Sequence, residues 1–117
     1  MIMPQFLLTW LVTALALLVT AYFVPGFVLS GFLAAAIAAV VLGLVNAIVR
    51  PILLFFTLPL TILTLGLFLF VVNALSIWIV AALTPGFDIT GFIPALLGSI
   101  VLTIATTVLG WFARAID

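Results

Sequence analysis

The chain has 117 residues, of which 70% are hydrophobic, and its only formally charged residues are two arginines and two aspartates. Soluble domains carry roughly a quarter charged residues, so this composition excludes a water-soluble globular body. The absence of cysteine and histidine removes disulfides, thiolates and the usual transition-metal ligands, and we expect no catalytic residues, metal or cofactor. No basic run is present, so nucleic acid is not expected as a partner. The lipid bilayer is the expected surrounding.

Four apolar runs are each long enough to cross a bilayer, which requires about 20 residues. Backbone groups in lipid must be hydrogen-bonded internally, and the runs lack the alternation of a barrel strand, so helices are expected. The first run has no basic segment before it and is interpreted as a retained span rather than a cleaved signal. The predicted fold class is therefore an all-α integral membrane protein with spans at Phe6–Val24, Gly31–Arg50, Leu60–Leu83 and Ile93–Phe112.

Two dipeptides, Pro25-Gly26 and Pro85-Gly86, predict type II turns that close two helical hairpins. Ser30 and Thr90 then precede the second helix of each hairpin, where a hydroxyl is expected to cap the first turn.

The chain also contains an internal repeat. The segment 25–32 matches 85–92 at an offset of 60 residues, with the pattern Pro-Gly-Phe followed by Gly-Phe identical in both. We predict a single transmembrane domain, 1–117, built from two tandem units at about 6–58 and 60–117. Each unit has an even number of spans, so the two hairpins run parallel and are related by a pseudo-twofold axis along the membrane normal.

Orientation is predicted from the few charges. Arg50 and Arg114 follow spans two and four and lie on one side, whereas Asp88 lies in an opposite connection. The positive-inside rule places both termini in the cytoplasm.

Small residues recur at every fourth position of spans two and four. Helices in lipid associate through close backbone approach, so these two helices are expected to form the central contact. The predicted small-residue ladders are Gly31, Ala35, Ala39, Gly43 and Ala47 in span two, and Gly91, Ala95, Ser99, Thr103 and Thr107 in span four.

Three polar residues lie within the apolar runs: Asn46, Arg50 and Asn73. In one interpretation the amides join helices, through a hydrogen bond between Asn46 and Asn73 or from Asn46 to a backbone carbonyl. In the other interpretation the amides line a polar path. Arg50 either extends to the headgroups, or binds an anionic lipid or forms a charged ring in an oligomer. It precedes Pro51, so the segment 51–59 is expected to be a kinked extension of span two or a short interfacial helix.

Some of these residues also resemble a known family. Segments 43–53 and 57–66, the pair Asn73-Ala74 and the two Pro-Gly-Phe turns are similar to the YvlD-like four-span membrane proteins, a phage holin family of four-span superfamily IV. The resemblance extends over nearly the whole chain. It implies a bacterial inner-membrane protein, with holin activity as the function its family name carries.

Two functions remain open. The first is a non-enzymatic membrane protein that acts through helix association, as a homo-oligomer or as an accessory subunit of a larger membrane complex. The alternative is holin-like or channel-like permeabilisation of the membrane. The residues available to line such a pore are the threonines, the asparagines and Arg50. An enzyme is disfavoured because the only carboxylates, Asp88 and Asp117, lie in a turn and at the last position.

Overall fold

The computed structural model describes residues 4–116 of the chain, with side chains described through Ala115. Three helices are long and apolar enough to cross a membrane, and a fourth is apolar but shorter, which is consistent with a four-span membrane protein. The helices are α1 (Gln5–Phe23), α2 (Phe32–Leu63), α3 (Phe68–Leu83) and α4 (Phe92–Ile116).

The boundary between the second and third helices differs from the prediction. Pro51 and Pro59 both lie inside α2, and residues 60–63 belong to this helix rather than to a third span. A proline inside a helix costs about 3 kcal/mol. Leaving the helix within hydrocarbon exposes several backbone groups, each at a cost of several kcal/mol, so the continued helix is favoured.

A specific backbone motif ends α2. The Gly66 N–H donates to the Thr61 carbonyl at 2.8 Å, and the Leu65 N–H donates to the Ile62 carbonyl at 3.1 Å. These are the two bonds of a Schellman motif, with Leu65 in the left-handed region at φ 57°. The Thr64 hydroxyl then accepts from the Phe68 N–H at 3.0 Å, which ties the start of α3 to the end of α2.

Two short strands were not expected in an all-α fold. β1 (Phe27–Leu29) follows α1, β2 (Phe87–Ile89) follows α3, and they pair antiparallel with Val28 opposite Asp88. Beyond the strands, the Ser30 N–H donates to the Gly86 carbonyl and the Thr90 N–H to the Gly26 carbonyl, both at 2.9 Å. Pairing satisfies backbone groups that a simple hairpin turn leaves open, and it joins the two halves of the chain.

The Ser30 hydroxyl does not play the predicted capping role at α2. Gly31 is the N-cap of α2, and no side chain caps this helix. A Cβ atom on Gly86 would collide with Ser30 Oγ, and one on Gly26 would collide with Thr90 Oγ1. Gly26 and Gly86 have φ values of 86° and 81°, as the third position of a type II turn requires. The hydroxyls therefore pack across onto the opposite turn.

The four helices are arranged in a ring. Each contacts two neighbours: α1 contacts α2 and α4, and α3 contacts α2 and α4. Within the described part of the chain, α2 and α4 lie on a diagonal and share no direct backbone contact, so the prediction that they form the central contact is wrong.

Candidate functional site: a polar cavity between the helices

A cavity of about 390 Å³ lies between the helices and is bordered by all four of them. We call the end of the bundle that carries the strands the sheet end, and the opposite end, with Arg50 and Arg114, the arginine end. The residues that line this central cavity are Thr13 of α1, Leu42, Asn46 and Arg50 of α2, Asn73, Ser76 and Ile77 of α3, and Ser99, Leu102, Thr103 and Thr106 of α4.

The sheet end of the bundle is closed by packing. Phe27 and Phe87 are each 1% exposed, and their ring centroids lie 5.0 Å apart beneath the paired strands. Phe27 also covers Gly98, where a Cβ atom would collide with the phenylalanine ring. The central cavity is therefore sealed toward the sheet end by aromatic and small apolar side chains.

The three intramembrane polar residues predicted from the sequence are brought together here. Asn46, Arg50 and Asn73 all border the central cavity. No side-chain hydrogen bond joins Asn46 to Asn73 among residues 4–115, so the predicted direct bond between the amides is replaced by a shared polar space. Arg50 is half-buried and borders this space.

The hydroxyl groups of the cavity have their protons engaged within their own helices. Ser76 donates to the Val72 carbonyl at 2.9 Å, and Ser99 donates to the Leu96 carbonyl at 2.8 Å. The other three follow the same pattern: Thr13 to Thr9 at 2.8 Å, Thr103 to Ser99 at 2.8 Å, and Thr106 to Leu102 at 2.9 Å. Each oxygen keeps lone pairs free, so this wall of the cavity accepts hydrogen bonds.

Arg50 and the two serines of the cavity lie at different depths. At a rise of about 1.5 Å per residue, Ser76 and Ser99 lie about 10 Å from the sheet-end termini of α3 and α4, whereas Arg50 lies about 27 Å from that of α2. Arg50 and the amide of Asn46 therefore lie toward the arginine end, and the serine oxygens form the inner end.

Charge in the described residues is separated between the two ends. Arg50 is the only charged residue that borders the central cavity. Arg114 borders an adjoining recess of about 140 Å³, which shares Thr13 and Thr106 with the cavity. Asp88 lies on β2 at the opposite end, and Asp117 lies outside the described residues. Among the described residues, the positive charges therefore lie at the arginine end and the negative charge at the sheet end.

A second space opens sideways between α1 and α2. This lateral groove has a volume of about 1010 Å³ and shares Thr13, Leu42 and Asn46 with the central cavity. Its other walls are mostly apolar and include Phe6, which is 72% exposed, and Val40. Nearer the sheet end, α1 and α2 are joined by a bond of 2.9 Å from Trp10 Nε1 to the Ala36 carbonyl. The groove therefore adjoins the polar cavity at Thr13, Leu42 and Asn46.

The small-residue ladders are buried only in part. Ala35, Ala39, Ala95 and Ser99 are buried, and Gly31 and Gly91 are half-buried. The positions nearer the arginine end, Gly43, Ala47, Thr103 and Thr107, are exposed. A spacing of four residues advances about 400° around a helix, so a straight ladder rotates out of any one contact.

The buried positions follow a spacing of three and four residues instead. They are Ala35, Ala38, Leu42 and Val45 in α2, and Ala95, Gly98, Leu102 and Ala105 in α4. This is the heptad period that keeps one face against a neighbour. The same period would have identified the missed cavity residue Thr106, which follows Ser99 and Thr103 on one face of α4. Ser76 was missed because it is the one hydroxyl of α3, and Thr13 because nothing in the sequence distinguishes it from Thr9 and Thr20 of the same helix.

The fold and the cavity define the chain as a small four-span membrane protein whose polar residues converge at one site inside the bundle. It belongs to the family described as mycobacterial 4 TMS phage holin, superfamily IV, whose model matches residues 4–108. The family resemblance predicted from the sequence is therefore confirmed.

Two relatives are similar over most of their length. The chain is 38% identical over 103 residues to the uncharacterized membrane protein YvlD of Bacillus subtilis, which covers 87% of each chain. It is also 38% identical over 120 residues to the uncharacterized protein SCO3922 of Streptomyces coelicolor, which covers 94% of this chain and 96% of the relative. No solved structure matches the chain.

Proposed function

We propose that this chain is a non-enzymatic protein of the bacterial cytoplasmic membrane that acts by associating with further copies of itself. The observation that carries the proposal is the exposed half of the α4 ladder. Thr107 is exposed, its hydroxyl proton is engaged by the Thr103 carbonyl at 2.8 Å, and large apolar side chains flank it. Small residues at such positions let a second helix approach closely.

The equivalent half of the α2 ladder suits close helix contact less well. Gly43 borders the lateral groove, and a Cβ atom placed on it would have no neighbour within 4 Å. Two helices pack at axial distances of about 8–10 Å on convex surfaces, and a wide groove leaves much of that contact unmade. The α4 face is therefore the proposed interface between copies, and a larger membrane complex is the alternative in which the same face contacts another protein.

A tandem duplication accounts for the architecture, and we propose it as the origin of the single domain 1–117. Buried positions correspond at the offset of 60 residues, as in Ala14 with Ala74 and Leu17 with Ile77. The crossed bonds between the two turns, from Ser30 to Gly86 and from Thr90 to Gly26, support a pseudo-twofold axis between parallel hairpins.

The proposed orientation places the arginine end in the cytoplasm. Arg50 and Arg114 lie at this end and Asp88 at the other. Under the positive-inside rule both termini are then cytoplasmic, and Arg50 lies near the anionic inner leaflet. An activity beyond association is not part of the proposal, because no carboxylate, histidine or thiol borders the central cavity to move a proton or attack a substrate.

Disulfide cross-linking in native membranes tests the association. The sequence has no cysteine, so Thr107→Cys introduces a unique thiol on the proposed interface. Ile48→Cys is the matched control, because Ile48 is 60% exposed on the lipid side of α2. We expect an oxidised dimer for Thr107→Cys and a monomer for Ile48→Cys. A monomer for both variants, at native expression and in nanodiscs, would contradict the proposal.

Holin-like permeabilisation is the second candidate, and the convergence of the polar residues on one cavity favours it within a holin family. The packed Phe27 and Phe87 would have to separate before ions crossed a single copy. Induced expression with a dye that reports membrane potential tests this candidate directly. Depolarisation that is lost in Asn46→Leu would support it, and an unchanged potential at high expression would retire it.

A further inference from the structure

We propose that the central cavity binds the headgroup of an anionic, hydroxyl-bearing phospholipid, of which phosphatidylglycerol is the simplest chemical example. The inference rests on the proposed orientation, because Arg50 must face a leaflet that contains such lipids. It deepens that proposal by naming the ligand class and the position of each part of the ligand.

The phosphate fits the arginine end of the cavity. Arg50 borders the cavity with five N–H donors and a permanent positive charge, and the amide of Asn46, one helical turn before it, borders the same space with two N–H donors. A guanidinium binds a phosphodiester through two parallel charge-assisted bonds. Among residues 4–115, no carboxylate borders this cavity to compete for the arginine.

The inner end of the cavity selects the rest of the headgroup. Ser76 and Ser99 present lone pairs there because their protons are bound by helix carbonyls. A ligand that donates hydrogen bonds satisfies these oxygens, and a hydroxyl does so without adding charge. An ammonium group, as in phosphatidylethanolamine, would enter a space that has no carboxylate to neutralise it and a guanidinium at its outer end. A glycerol headgroup is therefore favoured over an ethanolamine headgroup.

The lateral groove provides the route and the place for the acyl chain. It opens to lipid beside Phe6 and Val40, and it meets the central cavity at Thr13, Leu42 and Asn46. A phospholipid that enters between α1 and α2 can keep an acyl chain in this mostly apolar groove while its headgroup reaches the polar cavity. The volume of about 390 Å³ is within the range of about 300–1,000 Å³ found for small-molecule sites.

Lipid binding to the purified full chain, measured by native mass spectrometry from mild detergent, tests the assignment. The probes are phosphatidylglycerol, phosphatidylethanolamine and phosphatidylmethanol, which carries the same charge without the glycerol hydroxyls. Free glycerol 3-phosphate forms a separate arm that distinguishes a lipid from a soluble phosphate ester. We expect phosphatidylglycerol to bind several-fold more tightly than phosphatidylmethanol, phosphatidylethanolamine to bind weakest of the three, and the soluble ester to bind far more weakly than the lipid.

Two arginine variants form the matched pair. Arg50→Gln removes the proposed phosphate ligand, whereas Arg114→Gln removes the same charge at the same end without altering the central cavity. Loss of a charge-assisted bond is expected to weaken phosphatidylglycerol binding at least about tenfold in Arg50→Gln, with little change in Arg114→Gln. Arg50→Lys keeps the charge and is the control for a loss of binding that is caused by misfolding. We expect this variant to bind phosphatidylglycerol with intermediate affinity.

The inner end is tested by the double change Ser76→Ala and Ser99→Ala. It is expected to reduce the preference for phosphatidylglycerol over phosphatidylmethanol about threefold or more, while leaving phosphatidylmethanol binding unchanged. Equal effects of the two arginine variants, or no preference among the three lipids, would overturn the proposal. Cross-linking at Thr107 is scored in the same preparations, so a lipid site that fails while the dimer persists is distinguished from failure of the association.

Discussion

The arginine-end half of α2 and the corresponding half of α4 are built on the same buried frame but present different chemistry. Leu42 of α2 and Leu102 of α4 are both buried at the offset of 60 residues. On the neighbouring face, however, Asn46 corresponds to Thr106 and Arg50 to Gly110. One half carries an amide and a guanidinium beside an open groove, whereas the other carries threonines and a glycine.

The residues that stabilise the fold are therefore different from the residues that distinguish the two halves. Packing in lipid depends on small residues and a constant period, and both halves keep these at the buried positions. Binding depends on donors, charge and access, and these differ between the halves. The phosphate of the ligand is therefore assigned to the α2 wall of the cavity, and the protein interface to the exposed α4 face around Thr107.

The largest expected effect concerns buried residues that the two halves have in common. Phe27→Ala and Phe87→Ala each remove a ring that is 1% exposed from the centre of the sheet end. Truncation of a buried phenylalanine costs about 3–5 kcal/mol, and the two variants should lose similar amounts because the rings contact each other. Reversible unfolding in mixed micelles measures this. A loss confined to one variant would show that the two halves do not support the sheet end equally.

The next largest effect concerns a buried position at which the two halves carry different residues. Gly98→Ala adds a Cβ atom that collides with the Phe27 ring, and overpacking of this kind costs about 1–3 kcal/mol. Ala38 occupies the equivalent position of α2 and is fully buried. Ala38→Gly is the control and should cost about 1 kcal/mol through helix propensity. Unfolding free energies of the two variants decide between a steric and a purely conformational role for the glycine.

Exchange of the differing face residues should exchange the binding chemistry. The double change Asn46→Thr and Arg50→Gly gives α2 the residues of α4 and is expected to lower phosphatidylglycerol binding at least about tenfold. The double change Thr106→Asn and Gly110→Arg adds donors to α4 and should add a second, weaker lipid per chain. Counting bound lipids by native mass spectrometry checks both. Unaltered lipid binding after the first exchange would contradict the assignment of the site to α2.

A bulky residue on the α4 face should weaken the association by a smaller amount. Thr107→Leu blocks close approach, and contacts of this kind in membranes contribute about 1 kcal/mol, which corresponds to about a fivefold weaker dimer. Ala47→Leu makes the equivalent change on α2, where no protein contact is proposed. Dimer fractions measured by energy transfer between labelled copies in vesicles give the comparison. If Ala47→Leu weakens the dimer as much as Thr107→Leu or more, the interface does not lie on α4 alone and its assignment to that helix is contradicted.

Much of this architecture follows from the sequence, and the misses have physical causes. Run length and polarity predicted a four-span protein, because lipid leaves the backbone few alternatives. Segment 51–59 extends α2, as one of the two predicted alternatives has it, and only residues 60–63 were misplaced, because a proline inside the helix costs less than an exposed backbone in hydrocarbon. The sequence does not predict the strands β1 and β2, because each has only three residues and pairs with a partner about 60 residues away.

The cavity was predicted in its parts but not as a whole. Asn46, Arg50 and Asn73 were singled out because polar residues in lipid need partners. That they share a space with Ser76 and Ser99 depends on the ring of helices, which places α2 and α4 on a diagonal and leaves room between them. A spacing pattern within single helices does not contain that information.

The smallest expected effect concerns one buried hydroxyl that distinguishes the two halves. Thr84 Oγ1 is buried without a hydrogen-bond partner among the described residues, whereas the equivalent residue of the first half is Val24. An unsatisfied buried polar atom is destabilising, and an apolar group of the same shape removes that penalty, so Thr84→Val should stabilise the fold by about 1 kcal/mol. Thr20→Val is the control, because Thr20 Oγ1 donates to the Ala16 carbonyl at 2.7 Å and its loss should not stabilise. Unfolding midpoints of the two variants measure the contrast. Destabilisation by Thr84→Val would mean that this hydroxyl bonds to water or lipid at the sheet end, and that the second half uses it for a contact the first half lacks.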